Sequence, residues 1–343
     1  MHGAAHGLTK LLSPFGKVLA SDALMYEKPN FPGQHHGTID NIVENIINSY
    51  PDDGSRIGAI LEAVPHGFLK TAERLIDNLQ TTHSKVHAMQ SLSDNGSAWM
   101  ADYIAARLPN DMARVDGIVE AAKSGYNDAA FALFDRISSS FSKVHAMEEM
   151  HNTGRVWIAN TMAKKFPHDS SRMAALSDAV RAGYTRTADT LFEFTPSNFA
   201  KIHEMELRHN ANEVWIANTV AKKFPHDMAK IGGMEDAVKA GYTRTASTLL
   251  NSLSNPTIKI TALQNAASQG KTNVAQFLVD NGKVDINGRM NGQANPEGTP
   301  LYKAIQANQP EMAKWFVAKG GMVVDILHGA GAGTWKFAVD TVK

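Results

Sequence analysis

Eight cations recur along this chain at a single spacing, and recognition of charge is the chemistry that such a pattern could perform. They follow one another at 29-residue intervals: Arg56, Lys85, Arg114, Lys143, Arg172, Lys201, Lys230 and Lys259. Each is predicted to lie in the first turn of a helix, where a positive charge opposes the helix dipole and needs compensation. Two interpretations stay open. The cations either pair locally with carboxylates such as Asp227 and Glu235, or they form a basic line that binds an extended acidic segment of a protein partner.

The residue types of catalytic and metal sites occur without the spacing that such sites need. The chain has no cysteine, which excludes disulfides, thiol nucleophiles and thiolate metal ligands. The glycine-rich segment at 329–336, GAGAGTWK, lacks the Gly-Lys-Ser/Thr ending of a phosphate-binding loop. Four histidines near the N-terminus have no acidic or cysteine partners at ligand spacing: His2, His6, His35 and His36. We therefore expect no catalytic residues, no metal and no cofactor, and hence no enzyme.

Three further histidines, His87, His145 and His203, recur at a constant spacing that is twice that of the cations. Packed helices lie about 10 Å apart, so residues in successive units are too far apart to share one metal ion. We predict that these three side chains are hydrogen-bonded structural residues.

The elements that carry these residues repeat with the same period. KKFPHD begins at Lys164 and again at Lys222, and small and apolar residues recur at steps of three and four, as along an amphipathic helix. A glycine precedes an aromatic residue at Gly67, Gly125, Gly183 and Gly241. Favoured N-cap residues mark the helix starts at 29-residue steps: Asp53, Thr82, Asp111, Ser140, Asp169, Asn198 and Asp227. Each 29-residue unit is therefore predicted to be a helix–turn–helix hairpin that stacks on its neighbours.

Tryptophans mark the second helix of alternate hairpins. Trp99, Trp157 and Trp215 occupy a slot that faces outward, and the intervening hairpins carry Arg186 and Arg244 there. A guanidinium group on an indole face is worth about 0.5–1 kcal/mol where exposed, which would give a Trp–Arg ladder. The alternative is that the tryptophans fill gaps between short repeats.

Composition limits the classes of partner. The 343-residue chain carries 34 Lys and Arg against 34 Asp and Glu, so its neutral total charge does not favour nucleic acid or an anionic membrane. No stretch approaches 18 uncharged apolar residues, so no membrane span is expected. Lys10, Pro14 and Lys17 interrupt the apolar run at the N-terminus, which does not look like a secretory signal. We expect a cytoplasmic protein, and export without an N-terminal signal stays open.

The C-terminal part of the chain resembles the ankyrin repeat. TPLYKAIQANQPEMAKWFVAKGG, at 299–321, is similar to the Thr-Pro-Leu-His-x-Ala signature followed by a second helix and a glycine, and 261–282 fits as well. The resemblance implies an all-α, ankyrin-like helical-hairpin solenoid of about ten repeats over residues 38–321. Residues 1–37 are expected to form an N-terminal cap, and residues 322–343 a C-terminal cap. The turn-rich NGRMNGQANPEG, at 287–298, predicts one extended finger.

The resemblance implies protein–protein recognition. We therefore expect a monomeric, non-catalytic binding module that recognises a protein partner through the solenoid surface, with the eight cations as its candidate contact residues. Two alternatives stay open. One is an enzyme or regulator whose site is formed by a terminal cap on the solenoid, and the other is a structural subunit of a larger assembly.

Overall fold

The computed structural model of the chain describes residues 12–28, 36–289 and 298–322, and its regular structure in those ranges is helical, without a β-strand. Twenty helices follow one another: α1 (Pro14–Glu27), α2 (His36–Asn48), α3 (Asp53–Ala63), α4 (Leu69–Asp77), α5 (Thr82–Asp94), α6 (Ala98–Arg107), α7 (Asp111–Ser124), α8 (Asn127–Asp135), α9 (Ser140–Asn152), α10 (Val156–Lys164), α11 (Asp169–Ala182), α12 (Thr185–Glu193), α13 (Asn198–Asn210), α14 (Val214–Lys223), α15 (Asp227–Lys239), α16 (Thr243–Asn251), α17 (Pro256–Ser268), α18 (Thr272–Asp280), α19 (Pro300–Gln306) and α20 (Pro310–Ala318). The predicted all-α hairpin solenoid of about ten repeats is confirmed.

The helix boundaries follow the sequence register. The odd-numbered helices from α3 to α17 begin at one constant 29-residue step, and the even-numbered helices from α4 to α18 begin at the same step. Pro256, the first residue of α17, is the one first residue of the odd-numbered series from α3 to α17 that is not a favoured N-cap type. It follows the cap directly, a position that suits proline well. The 29-residue helix–turn–helix unit is therefore the structural repeat.

The helix caps lie one residue before the predicted positions. Asn110 adopts an extended conformation and its side chain accepts a hydrogen bond from the amide of Ala113 at 2.9 Å, which defines it as the N-cap of α7. Thr81 and Ser139 cap α5 and α9 in the same way. The predicted cap residue Asp111 is the first residue inside the helix. The prediction was wrong by one position because both residues of the pair are of types that favour caps.

A left-handed glycine ends the first helix of several hairpins and sets the direction of the following tyrosine. Gly125 and Gly241 both have φ of +77°, a conformation that a side chain would strain. The amide of Tyr126 then donates to the carbonyl of Ala121 at 2.8 Å, closing the turn. The turn directs the tyrosine ring back toward the preceding hairpin.

The core of each hairpin is made of alanine, methionine and branched aliphatic side chains. On α9, Val144, Ala146, Met147 and Met150 are all fully buried. Small side chains at the helix contacts let the helices pack closely, and the larger ones fill the remaining space. The opposite side of the same helix is left to polar and aromatic residues.

The chain divides into two compact units. Unit 1 comprises Met1–Phe166 with Tyr184–Thr190, and unit 2 comprises Pro167–Gly183 with Leu191–Lys343. Within unit 1, α1 packs against α2, α3 and α4, so part of the predicted N-terminal cap is a helix of the stack. Much of the predicted finger (290–297) and nearly all of the predicted C-terminal cap (323–343) lie outside the described residues.

Candidate functional site on the first helices

The eight regularly spaced cations all lie half-buried. Arg114 shows how they are used: its guanidinium donates to Asp111 Oδ1 at 3.0 Å and to the carbonyl oxygens of Ala105 (3.2 Å) and Leu108 (3.1 Å) at the end of α6. The positive charge therefore compensates the C-terminal end of one helix while it lies in the first turn of the next. Arg56, Arg172 and Lys230 make the equivalent ion pair three residues back, to Asp53, Asp169 and Asp227.

The aspartates of these pairs connect successive hairpins. Asp111 Oδ2 accepts hydrogen bonds from the amides of Ser138 (3.1 Å) and Ser139 (2.8 Å), where the next hairpin begins. The equivalent Asp227 accepts from the hydroxyl and amide of Ser254, and the hydroxyl hydrogen bond is the main reason that its pKa falls to about 2. Burial alone would raise the pKa of Asp111, but the hydrogen bonds from Ser139 and Ser138 hold it below its usual value.

Lysines take the place of the paired arginines in the intervening hairpins and lie against aromatic rings. Lys143 Nζ is 5.6 Å and 5.7 Å from the ring centroids of Phe134 and Phe166. Lys201 Nζ is 4.0 Å from the Phe192 ring, and burial lowers its pKa. Local pairing with carboxylates, the first of the two interpretations open from the sequence, describes Arg56, Arg114, Arg172 and Lys230, whereas Lys143 and Lys201 lie against rings. Binding of a partner by the eight side chains stays a prediction.

The exposed side of the first helices carries a recurring group of aromatic rings. His87 stacks on Tyr126 with ring centroids 5.6 Å apart, and His145 stacks on Tyr184 at 5.9 Å. In unit 2, His203 lies 5.9 Å from Tyr242 and 6.0 Å from Phe199. Hydrogen bonds of 3.1 Å and 3.0 Å join His145 and His203 to the tyrosine hydroxyls. The prediction that these two histidines are hydrogen-bonded is confirmed.

Large apolar side chains lie on the same side of the helices. Phe141 and Phe199 come one turn before His145 and His203, and Met112 and Met228 lie on the first helices α7 and α15. Their exposed fractions are 46% for Met112, 49% for Phe141, 57% for Phe199 and 50% for Met228. We call these residues, with their His–Tyr pairs, the aromatic face. In unit 1 it consists of Met112, Phe141, His87, Tyr126, His145 and Tyr184. In unit 2 it consists of Phe199, His203, Met228 and Tyr242.

Each unit holds a buried polar network at the end of the helix that carries the aromatic face. In unit 1, Thr187 Oγ1 donates to Glu148 Oε2 at 2.8 Å, and Thr190 Oγ1 lies 3.1 Å from His151 Nε2. In unit 2, Thr245 bonds to Glu206 and Thr248 to His209 at equivalent distances. Burial lowers the pKa of both histidines, so the network favours the neutral imidazole. These bonds fix the second helix of one hairpin against the first helix of the preceding one.

The tryptophans are about half exposed on the second helices, as their slot predicted. The Trp–Arg ladder, however, was a wrong prediction for the described residues. Arg186 donates to the carbonyl of His151 at 3.2 Å and to Asn152, at the C-terminal end of α9. Arg244 makes the same contacts at the end of α13. Trp157 instead packs edge-on against Phe131, with centroids 6.2 Å apart.

Other candidate sites are weaker. A cleft of about 410 Å³ beside α1 and α2 is lined by charged residues that largely pair with each other, including Lys28 with Asp40 and Arg107 with Asp77. Among the described residues, no three His, Asp or Glu side chains are grouped to hold a metal ion. His2, His6, His35, the side chain of His36 and the GAGAGTWK segment lie outside the described residues. No helix in the described part of the chain is long and apolar enough to cross a membrane.

The aromatic face was not anticipated from the sequence. His145 and Tyr184 lie 39 residues apart, a separation that is no multiple of the 29-residue step, so the register alone does not pair them. The usable signals were the exposed slot of Phe141 and Phe199, one helical turn before a histidine, and the tyrosines that follow the left-handed glycines Gly125, Gly183 and Gly241. Both signals recur in every second hairpin.

Comparison with known proteins supports the repeat fold in the C-terminal region. A family model of three ankyrin repeats matches residues 234–326. A solved structure described as a circular tandem repeat protein with novel repeat topology and enhanced subunit contact surfaces aligns with 95% of this chain and 75% of its own, at 10% identity and a TM-score of 0.19, too low to carry an argument. No curated protein matches the chain. Ankyrin repeats are generally protein-interaction modules, and the match to their family model covers the C-terminal part of the chain.

Proposed function

We propose that this protein is a monomeric, cytoplasmic and non-catalytic binding module that recognises a protein partner through the aromatic face of its first helices. The observation that carries the proposal is the recurrence of exposed Phe141 and Phe199 beside His–Tyr pairs. Single exposed apolar residues are ordinary, but aromatic and methionine side chains grouped on one side of a helix array are typical of protein interfaces.

The proposal agrees with the way in which the helices are built. The phenylalanines and histidines lie on helices and the tyrosines in tight turns, and stacking or hydrogen bonding to a neighbouring hairpin holds the histidines and tyrosines in place. Residues that are held in this way lose little conformational entropy on binding. Preorganised aromatic residues are also the side chains that carry most of the binding free energy in interfaces.

The test is affinity capture of cellular partners with two double variants. The variant Phe141→Ser with Phe199→Ser removes two exposed rings from the aromatic face, and Trp157→Ser with Trp215→Ser removes two equally exposed rings from the second helices. We expect the first variant to lose the captured partner and the second to retain it. Loss with the second variant alone would place the interface on the second helices and contradict the proposal.

An extended acidic partner along the eight cations, predicted from the sequence, is the competing proposal. It needs side chains that can leave their present partners, such as Arg114 from Asp111 and the α6 carbonyl oxygens. Charge reversal of Arg114, Lys143 and Arg172 would abolish capture at low salt if those cations contact the partner. Unchanged capture by a folded variant would leave them with a structural role.

A further inference from the structure

We propose that the aromatic face of unit 1 binds a basic protein segment in which Arg or Lys side chains alternate with apolar ones. The inference rests on the proposed function and specifies the chemistry of the partner. Its charge is opposite to that of the acidic partner that the spacing of the cations suggested.

The carboxylates of unit 1 supply the electrostatic argument. Five acidic residues of its first helices are exposed or half-buried: Glu62 on α3, Asp94 on α5, Asp116 and Glu120 on α7, and Glu149 on α9. Among the residues that the structure describes, no Lys or Arg forms an ion pair with any of them. Within these four helices, all of them fully described, Lys123 is the one Lys or Arg that is exposed to solvent.

The cations of unit 1 are used elsewhere. Arg114 pairs with Asp111 inside the stack, and Arg107, Arg136 and Lys165 pair on the second helices with carboxylates of the preceding hairpins. These four ion pairs compensate carboxylates in the interior and on the second helices of the unit. The five carboxylates of the first helices are therefore left without a Lys or Arg to compensate their negative charge.

Carboxylates and stacked rings together select a cation with an apolar neighbour. A guanidinium or ammonium group gains from the face of an aromatic ring and from a carboxylate within the same few ångströms. Glu120 shows such a neighbourhood, since its Oε1 lies 2.9 Å from His83 Nδ1, and the His83 ring lies 6.4 Å from that of His87. Met112 and Phe141 offer apolar contacts beside these groups. An acidic segment would be repelled by the five carboxylates.

Unit 2 has the same rings with less free charge. Of its carboxylates at the places that match Glu120 and Glu149, Asp178 pairs with Arg181, whereas Asp236 forms no ion pair with a Lys or Arg among the described residues. Two other acidic positions are replaced at the equivalent place two hairpins later, Asp116 by Ala174 and Glu149 by Leu207. The chain therefore contains its own control, since its repeats already accept both neutral replacements.

The test uses three fluorescent peptides of equal length in which leucine alternates with arginine, with glutamine or with glutamate. Binding is measured by fluorescence anisotropy on the full chain at low and at high NaCl concentration. We expect the arginine peptide to bind at least about tenfold more tightly than the glutamine peptide at low salt. High salt should remove most of that difference, because exposed charges are screened. The glutamate peptide should bind most weakly.

Two double variants assign the binding to unit 1. Asp116→Ala with Glu149→Leu should weaken binding of the arginine peptide by about two- to fivefold for each carboxylate removed. The reciprocal Ala174→Asp with Leu207→Glu should strengthen it. Glu311→Gln, which removes an exposed carboxylate of α20, is the control for non-specific attraction and should have no effect. Circular dichroism checks that each variant is folded.

Four outcomes would overturn the inference. Equal binding of the arginine and glutamine peptides would show that charge is irrelevant, and tighter binding of the glutamate peptide would support the line of eight cations instead. Self-association of the chain through Phe141, seen by sedimentation and abolished by Phe141→Ser, would make a second copy the occupant. If no peptide binds while Phe141→Ser with Phe199→Ser still abolishes cellular capture, the inference fails and the proposed function stands.

Discussion

The two units of this chain share a framework but differ in where they place charge. Both carry His–Tyr pairs on their first helices, the same Glu–His–Thr networks, and aspartates that connect successive hairpins. In the described residues, unit 1 leaves five carboxylates of α3, α5, α7 and α9 without a Lys or Arg partner, whereas unit 2 leaves Asp236 alone unpaired on its first helices and extends the pairing inward. The difference shows that a repeat keeps the contacts that stack it and is free to vary the residues that do not.

The inward extension in unit 2 is a hydrogen-bonded chain of polar and charged residues, three of which occupy positions that are apolar in unit 1. Ser177 donates to Glu204 at 2.5 Å, and Arg208 lies 3.0 Å from Glu204 and 2.7 Å from Glu213. Arg181 binds both carboxylate oxygens of Glu213, and its hydrogen bond is the main reason that the pKa of Glu213 falls to about 2. The positions of Ser177, Glu204 and Arg208 are Val119, Ala146 and Met150 in unit 1.

The largest effect is expected from breaking this buried network. Arg208→Ala leaves Glu204, which has 5% of its side chain exposed, without its ion-pair partner, and should cost about 3–5 kcal/mol of unfolding free energy. The triple variant Ser177→Val, Glu204→Ala and Arg208→Met places the residues of unit 1 at these positions. It should recover most of the lost unfolding free energy, because well-packed apolar residues replace buried ion pairs at little cost. Urea unfolding measures both variants. A triple variant as unstable as Arg208→Ala would show that the two units differ in more than these side chains.

The aspartates that connect hairpins should matter equally in both units. Asp111→Ala and Asp227→Ala each remove acceptors for backbone amides and leave a half-buried cation unpaired, at a cost of about 1–3 kcal/mol. Ser140→Ala is the control: its hydroxyl is buried without a partner, so the change should be near neutral. A loss of unfolding free energy in only one of the two variants would show that the two units do not depend on this aspartate equally.

The Asp227 variant has a pH signature. The pKa of this carboxyl is lower in the folded state, about 2, than in the unfolded chain. Its contribution to stability is therefore present above the unfolded value and is lost as the pH falls toward 2. The difference in unfolding free energy between the native chain and Asp227→Ala should shrink over that range, and a constant difference would contradict the assignment.

A smaller effect is expected from the buried histidines, for which the folded state favours the neutral form rather than the charged one. Burial lowers the pKa of His151 and His209, so the folded state favours the neutral ring. Their stabilisation is complete above the unfolded pKa of about 6.5 and is lost as the pH falls from there through the lower folded pKa. The melting temperature should drop between pH 7 and pH 5, and His151→Gln with His209→Gln should flatten that dependence. An unchanged slope would point to other groups.

The smallest effect is expected on the exposed face itself. Asp116→Ala with Glu149→Leu in unit 1, and Ala174→Asp with Leu207→Glu in unit 2, should each change the unfolding free energy by no more than about 0.5 kcal/mol per site, because the side chains touch no buried partner. Urea unfolding of the two double variants tests this. A large loss in either would mean that the charge pattern serves folding and not recognition.

Much of the fold followed from the sequence, and the errors have physical causes. The 29-residue register located the helix starts because a repeat places equivalent residues in equivalent surroundings. The caps were misplaced by one residue, since Asn110 and Asp111 both favour caps and only the backbone conformation decides between them. The Trp–Arg ladder was wrong because Arg186 finds better acceptors, the carbonyl and side-chain oxygens at the end of α9.

The sequence by itself determined the period, the helix–turn–helix unit and the absence of thiol chemistry, because each depends on residues close together in the chain. The tertiary structure alone decided which charges are used in stacking and which stay free. Arg114 and Lys123 are similar cations on the same helix, yet one reaches the end of the preceding hairpin and the other points to solvent. That difference depends on which side of the helix faces a neighbour, and it is settled only when the hairpins pack.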